Sequence, residues 1–270
     1  ERLRLCVFSI ASLQVFDARL AKVAQGAGAL ERLCSGAAWS EGPAWLPRSS
    51  ELIWSDIPNN RILSWHAQHG LRVWRGDAEF TNGHVLDQGG DLLHASHGQR
   101  AIIRTWLGSQ GEPLGDEVVV DNYRGQRLNS PNDLVVKSDG SIWFTDPPYG
   151  ILSDREGHKA PSEIGANHVY RYCPHTQNLS IATDWLEEPN GLAFSPDERV
   201  LYVSDTSAAL RQDGTGHHHI VALEVVDGTR LRDPRIFAVI TPGLADGFRV
   251  DRHGFVYTSS VDSVQIFHPD

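Results

Sequence analysis

The sequence predicts an all-β chain folded as a six-bladed β-propeller with four-stranded blades. Three observations carry this prediction. Five times an oxygen-bearing side chain is followed at once by Gly or Asp and then by an apolar run: Glu41-Gly42, Asn82-Gly83, Asn132-Asp133, Asn190-Gly191 and Asp246-Gly247. The intervals are 41, 50, 58 and 56 residues, the length of a propeller blade. After each marker comes a short strand, a polar turn and a second strand rich in β-branched and aromatic residues.

Taken in order, the first unit runs from Glu41 through a turn at Pro47-Arg48-Ser49-Ser50 into 52–56, with further strands at 61–65 and 71–74. The second has its turn at Asp87-Gln88-Gly89-Gly90, then strands at 91–97, 101–106 and 117–120. The third turns at Ser138-Asp139-Gly140 and continues with 141–146, 168–172 and 179–182. The fourth turns at Ser195-Pro196-Asp197-Glu198 and continues with 200–205, 220–225 and 235–239. The fifth turns at Asp251-Arg252-His253-Gly254 and enters 255–260. No unit sustains a 3.6-residue period, so helical solenoids are excluded. Blades are expected to begin near 41, 82, 132, 190 and 246 within one domain spanning 1–270.

Residues 1–36 are expected to form a preceding strand and helix segment. A short amphipathic turn is expected from Asp17 to Lys22, and 3–16 and 30–35 are candidate strands for closing the ring. The last blade is expected to be incomplete in this chain, because few residues follow Gly247. The chain has no methionine, so residue 1 is not expected to be the natural start.

Composition narrows the function. The chain is 40% hydrophobic and 21% charged with a net charge of −10, and no basic block offsets that charge; nucleic-acid binding is not expected. No run of 18 apolar residues predicts a membrane span. Cys6, Cys34 and Cys173 are odd in number and far apart, which fits free thiols in a reducing compartment and a cytoplasmic protein rather than a secreted or periplasmic one. No feature sets an oligomeric state.

In a propeller the innermost strands surround a central channel. The markers precede these strands, so all five face one rim. The ends of the second strands, Asp56, His97, Asp146, Asp205 and Ser260, return to the same rim. Glu41 and Asp246 supply two charges, and Asn132 and Asn190 supply amide oxygens. Such an all-oxygen set balances one divalent cation in the channel, calcium first, with magnesium, manganese or zinc as alternatives. The competing reading treats these dipeptides as hairpin punctuation, although other turns already fill the hairpin positions. His217-His218-His219 does not read as a zinc site, because successive side chains on a strand diverge and three cannot reach one ion. No Gly-x-Ser-x-Gly elbow is present, so a serine esterase is not expected.

Three stretches together resemble the senescence-marker-protein/gluconolactonase/luciferin-regenerating-enzyme family. They are Ser40-Glu41-Gly42-Pro43-Ala44-Trp45, the central Asn129-Ser130-Pro131-Asn132-Asp133 with Phe144-Thr145-Asp146-Pro147-Pro148-Tyr149-Gly150, and Pro189-Asn190-Gly191-Leu192-Ala193-Phe194. The resemblance implies a metal-dependent hydrolase that opens a small-molecule sugar lactone. It carries the ligand role to Glu41, Asn132, Asn190 and Asp246, and adds a general-base role for Asp246. Some relatives carry arginine where this chain has Ser130, so sugar contacts made there do not transfer. His97 is a second candidate base, and Asn82 and Tyr149 are expected to line the substrate pocket. Asp146 either joins them or caps a turn. Alternatives on the same scaffold are an organophosphate or aryl-ester hydrolase and a non-catalytic calcium-binding propeller.

Overall fold

The computed structural model describes residues 14–21, 31–211 and 213–270. The chain divides into two compact units, one up to Gly36 together with Asp270 and one from Ala37 to Pro269. In the first unit Asp17 caps a single turn of 3-10 helix, Ala18–Leu20, by accepting from Arg19 N at 2.9 Å. Lys22, Cys6 and the candidate strand at 3–13 lie outside the described residues. The described parts of the candidate closing strands, 14–16 and 31–35, form no strand. Most of their side chains are exposed, and a strand with no buried face has little to hold it.

The second unit consists of successive antiparallel sheets, each built from consecutive strands in chain order. Four sheets have four strands, opened by Glu41–Leu46, Thr81–Leu86, Leu134–Val136 and Pro189–Phe194. A fifth, opened by Phe248–Val250, has three strands. Among the described residues the expected six blades are therefore corrected to five, of three or four strands. A two-stranded ribbon, Asn122–Tyr123 with Gln126–Arg127, lies between blades two and three in the chain.

The core explains the near-continuous apolar second strands. Four hydrophobic clusters each join two consecutive blades. Side chains alternate across a strand, so neighbours in sequence serve opposite interfaces. On Ile142–Asp146, Ile142 and Phe144 pack toward blade two while Trp143 packs toward blade four. On Val200–Asp205, Leu201 and Val203 face blade three and Tyr202 faces blade five. Both faces of an inner blade are buried, which removes the polar alternation of a one-sided sheet. Among the described residues no helix is long and apolar enough to cross a membrane.

Candidate active site

The markers sit where the first strand of a blade departs from regular pairing. In blade one, Glu41 pairs Ser55 while Ala44 pairs Ile53, so three steps on one strand oppose two on the other. Blade two repeats this between Thr81 and His84, and blade four between Pro189 and Leu192. Each is a β-bulge, which bends the strand and re-aims a side chain. Asn82 and Asn190 lie within such a bulge, and Glu41 is the paired residue that opens one.

The glycine after the marker is required by the next blade, not by a hairpin. A Cβ on Gly42 would lie 2.3 Å from the Asn82 carbonyl oxygen. On Gly83 it would lie 2.8 Å from the Asn132 oxygen, and on Gly191 2.4 Å from the Asp246 oxygen. Hydroxyls of the second strands complete the chain of contacts. Ser55 Oγ donates to Asn82 O at 2.8 Å, Thr145 Oγ1 to Asn190 O at 2.6 Å, and Ser204 Oγ to Asp246 O at 3.1 Å. Backbone contacts thus link each marker to that of the following blade, and the hairpin-punctuation reading fails.

Electrostatics single out the carboxylates of this cluster. Burial pushes the Glu41 carboxyl well above its usual range, and the nearby charges of Asp246, Asp133 and Glu156 push it further. Asp246 is also raised by burial; a hydrogen bond from Asn190 opposes the shift and the Asp133 charge adds to it. Asn132 is buried, yet neither its amide nor the Glu41 carboxylate makes a side-chain hydrogen bond with the described residues. Asn190 turns its amide nitrogen toward Thr206 Oγ1 at 3.3 Å and toward Asp246. Its carbonyl oxygen therefore stays open. Mutually repelling carboxylates beside unpartnered amide oxygens are a donor set that fits a hard cation.

His97 is wholly buried, and burial lowers its imidazole to about 4. Its Nδ1 lies 2.9 Å from Glu156 O. A carbonyl only accepts, so Nδ1 carries the proton and Nε2 presents its lone pair. That Nε2 is 3.5 Å from Asn82 Nδ2, a long contact that joins His97 to the marker of its own blade.

Tyr149 opens the short helix Tyr149–Leu152, and its hydroxyl lies 2.6 Å from Thr206 Oγ1. Thr206 therefore bridges Tyr149 and Asn190. Gly150 lets this helix approach His97, because a Cβ there would lie 2.5 Å from His97 Cβ. Burial raises the Tyr149 phenol, so it stays protonated.

Asp146 is not placed as a pocket wall. Its buried carboxylate accepts from Asn129 N at 2.8 Å and Ser130 N at 2.9 Å, and so pins the loop that leads to Asn132. Burial raises this carboxyl to about 7. Ser130 is equally committed: its hydroxyl donates to Pro147 O at 2.6 Å and accepts from Gly150 N at 2.9 Å. Four residues at the site were not singled out from the sequence. Asp133 adds a carboxylate, held 3.3 Å from Arg249 Nη1. Glu156 orients His97 through its carbonyl, and Thr206 bridges as above. The break from Gly to Asp at position 133 was a readable signal; Glu156, Thr206 and Arg249 left none in the spacing.

Residues 39–270 match the family described as SMP-30/Gluconolactonase/LRE-like region. A gluconolactonase from Zymomonas mobilis is 32% identical, the match covering 97% of this chain and 76% of that protein. The solved structure of a gluconolactonase from Xanthomonas campestris superposes with a TM-score of 0.79 at 42% identity, over 88% of this chain and 75% of that one. Regucalcin from Agrobacterium tumefaciens, described as calcium-binding, shares the fold with a TM-score of 0.64 at 17% identity, over 86% of this chain and 72% of its own.

Proposed function

The chain belongs to the SMP-30/gluconolactonase/LRE-like family, and on that premise we propose that it is a lactonase opening a sugar lactone at the marker cluster. The observation that carries the reading is the convergence of Glu41, Asp246, Asn132 and Asn190, from four blades, into one cluster of repelling carboxylates and open amide oxygens. Glu41, Asn132, Asn190 and Asp246 would hold the divalent cation, calcium by its preference for oxygen. When bound, the ion supplies positive charge that polarises an ester carbonyl.

The chain's own residues provide the rest. Asp246 takes a proton from the attacking water. Water oxygen bonds to the carbonyl carbon, the ring C–O bond breaks, and the ring oxygen leaves as a hydroxyl after receiving a proton. The product hydroxy acid ionises at neutral pH, so each turnover releases one proton to the medium. His97, neutral with an inward lone pair, accepts a hydrogen bond from the water or a substrate hydroxyl. Asn82 and Tyr149 flank the substrate. Asp146 contributes by fixing the loop before Asn132. A cytoplasmic setting would suit Cys34 and Cys173, which form no disulfide among the described residues.

A lactone panel read by proton release tests the proposal, with aryl esters and organophosphates alongside. Aldonolactones should turn over fastest, and Asp246→Asn should lower that rate by about 100-fold or more. Organophosphate turnover exceeding every lactone would reassign the substrate class. A folded protein inactive on the whole panel would leave a non-catalytic cation-binding propeller.

A further inference from the structure

We propose that Asp205, His217 and His219 form a second cation site in blade four, selective for a borderline transition-metal ion such as zinc. A ring nitrogen from each imidazole and a carboxylate oxygen of Asp205 lie within 4.8 Å of one another. The strand alternation that prevents three successive histidines from sharing an ion leaves two on the same side. His217 and His219 stack with ring centroids 4.7 Å apart and planes 26° apart. His218 points elsewhere, with Nδ1 2.7 Å from Ile240 O.

A second observation points to a missing ligand. His219 is 7% exposed, and its Nε2 is buried without a hydrogen-bond partner. Buried polar atoms seldom go unpaired, and one that does calls for an explanation such as an ion. Asp205 is held in place by backbone donors: Glu187 N at 2.9 Å on one oxygen and Ser207 N at 3.1 Å on the other. Such outer contacts orient metal-binding carboxylates. His217 Nδ1 lies 3.2 Å from Asp205 Oδ2, and half-exposed His217 offers an entry from solvent. A small turn of the His217 ring would exchange this hydrogen bond for two bonds to one ion.

The donor set decides the metal. Two imidazoles and one carboxylate suit zinc, nickel, cobalt or ferrous iron, whereas calcium takes oxygen ligands. Three protein ligands leave a fourth position for water. The ion would fasten the end of one strand, Val200–Asp205, to the start of the next, His219–Val226, beside Thr206.

The test uses the full chain, stripped of metal by chelation and then held in excess calcium. Zinc is titrated by calorimetry, and cobalt by its visible d–d absorption. One equivalent of zinc should bind with a Kd of about 10 µM or tighter, and cobalt should show the intense bands of a four- or five-coordinate nitrogen-containing site. His217→Asn and His219→Asn should each weaken binding by about tenfold or more, while His218→Asn should not. His217 is half-exposed, so its variant should retain the parent circular dichroism and supplies the decisive comparison even where His219→Asn misfolds. Zinc displaced by calcium, zinc bound equally well by His217→Asn, or zinc bound only at millimolar concentration would overturn the proposal.

Discussion

The marker cluster and the Asp205–His217–His219 group are built in opposite ways. The first draws Glu41, Asn132, Asn190 and Asp246 from four blades and presents oxygen alone. The second draws three residues from one blade, two of them imidazoles. An ion in the first ties blades to each other, so it depends on how closely the blades approach. An ion in the second ties two paired strands, so it depends only on local register. The chemistry of the ligands then separates the ions: hard calcium for one, borderline zinc for the other.

The largest expected effect follows from charge in the marker cluster. Glu41→Gln should lower lactone hydrolysis by about 100- to 1,000-fold, the scale seen when one electrostatic contact to a reacting group is removed. His217→Asn should leave hydrolysis within about twofold, since that residue touches neither Asn190 nor Asp246. Steady-state kinetics on the two variants measure the contrast directly; equal losses would erase the distinction between the clusters.

Packing between blades comes next. Gly191→Ala places a methyl 2.4 Å from the Asp246 oxygen and should destabilise the fold by about 1–3 kcal/mol. Gly247→Ala meets nothing within 4 Å and should change stability by less than about 1 kcal/mol. Urea denaturation of both separates close approach from glycine's backbone freedom.

The pH dependence of stability should carry the signature of buried histidine. His84 is buried, with Nδ1 donating to Gly42 O at 2.8 Å, and burial lowers it to about 4. Between its unfolded value near 6.5 and about 4, the unfolded chain binds the extra proton. Its contribution is therefore complete above about pH 6.5 and is lost as pH falls toward 4, to a total of about 3 kcal/mol. His84→Gln should flatten this acid limb in denaturation curves taken from pH 4 to 7, without moving the zinc affinity of the second group.

The smallest effect is at the link between the clusters. Thr206→Val removes the hydroxyl shared by Tyr149 and Asn190 and should cost about 1 kcal/mol in kcat/KM, close to fivefold. An unchanged value would show that the bridge does not position either partner.

Much of the fold was legible because blade interfaces impose a repeat. Second strands such as Val200–Asp205 are apolar over their first four residues, as burial on both faces requires. The blade count was not legible, because it turned on closing strands expected before Glu41, whose described parts, 14–16 and 31–35, form no strand. At the site, the markers were readable as a set. Their glycines were readable only as possible turns, since close approach of another blade leaves no local trace. Glu156 and Thr206 act through a carbonyl and a bridging hydroxyl, contacts that depend on loop path rather than spacing. In the histidine run His218 turns to Ile240 O, and the grouping of His217 and His219 with Asp205 required the register of Asp205 against His219.

The most direct test is calcium titration into metal-stripped protein, with binding and lactone hydrolysis followed on the same sample. One calcium equivalent should bind at the marker cluster, hydrolysis should recover with the same midpoint, and both should be lost in Glu41→Gln. Full hydrolysis in the stripped protein, or in Glu41→Gln at any calcium concentration, would contradict this.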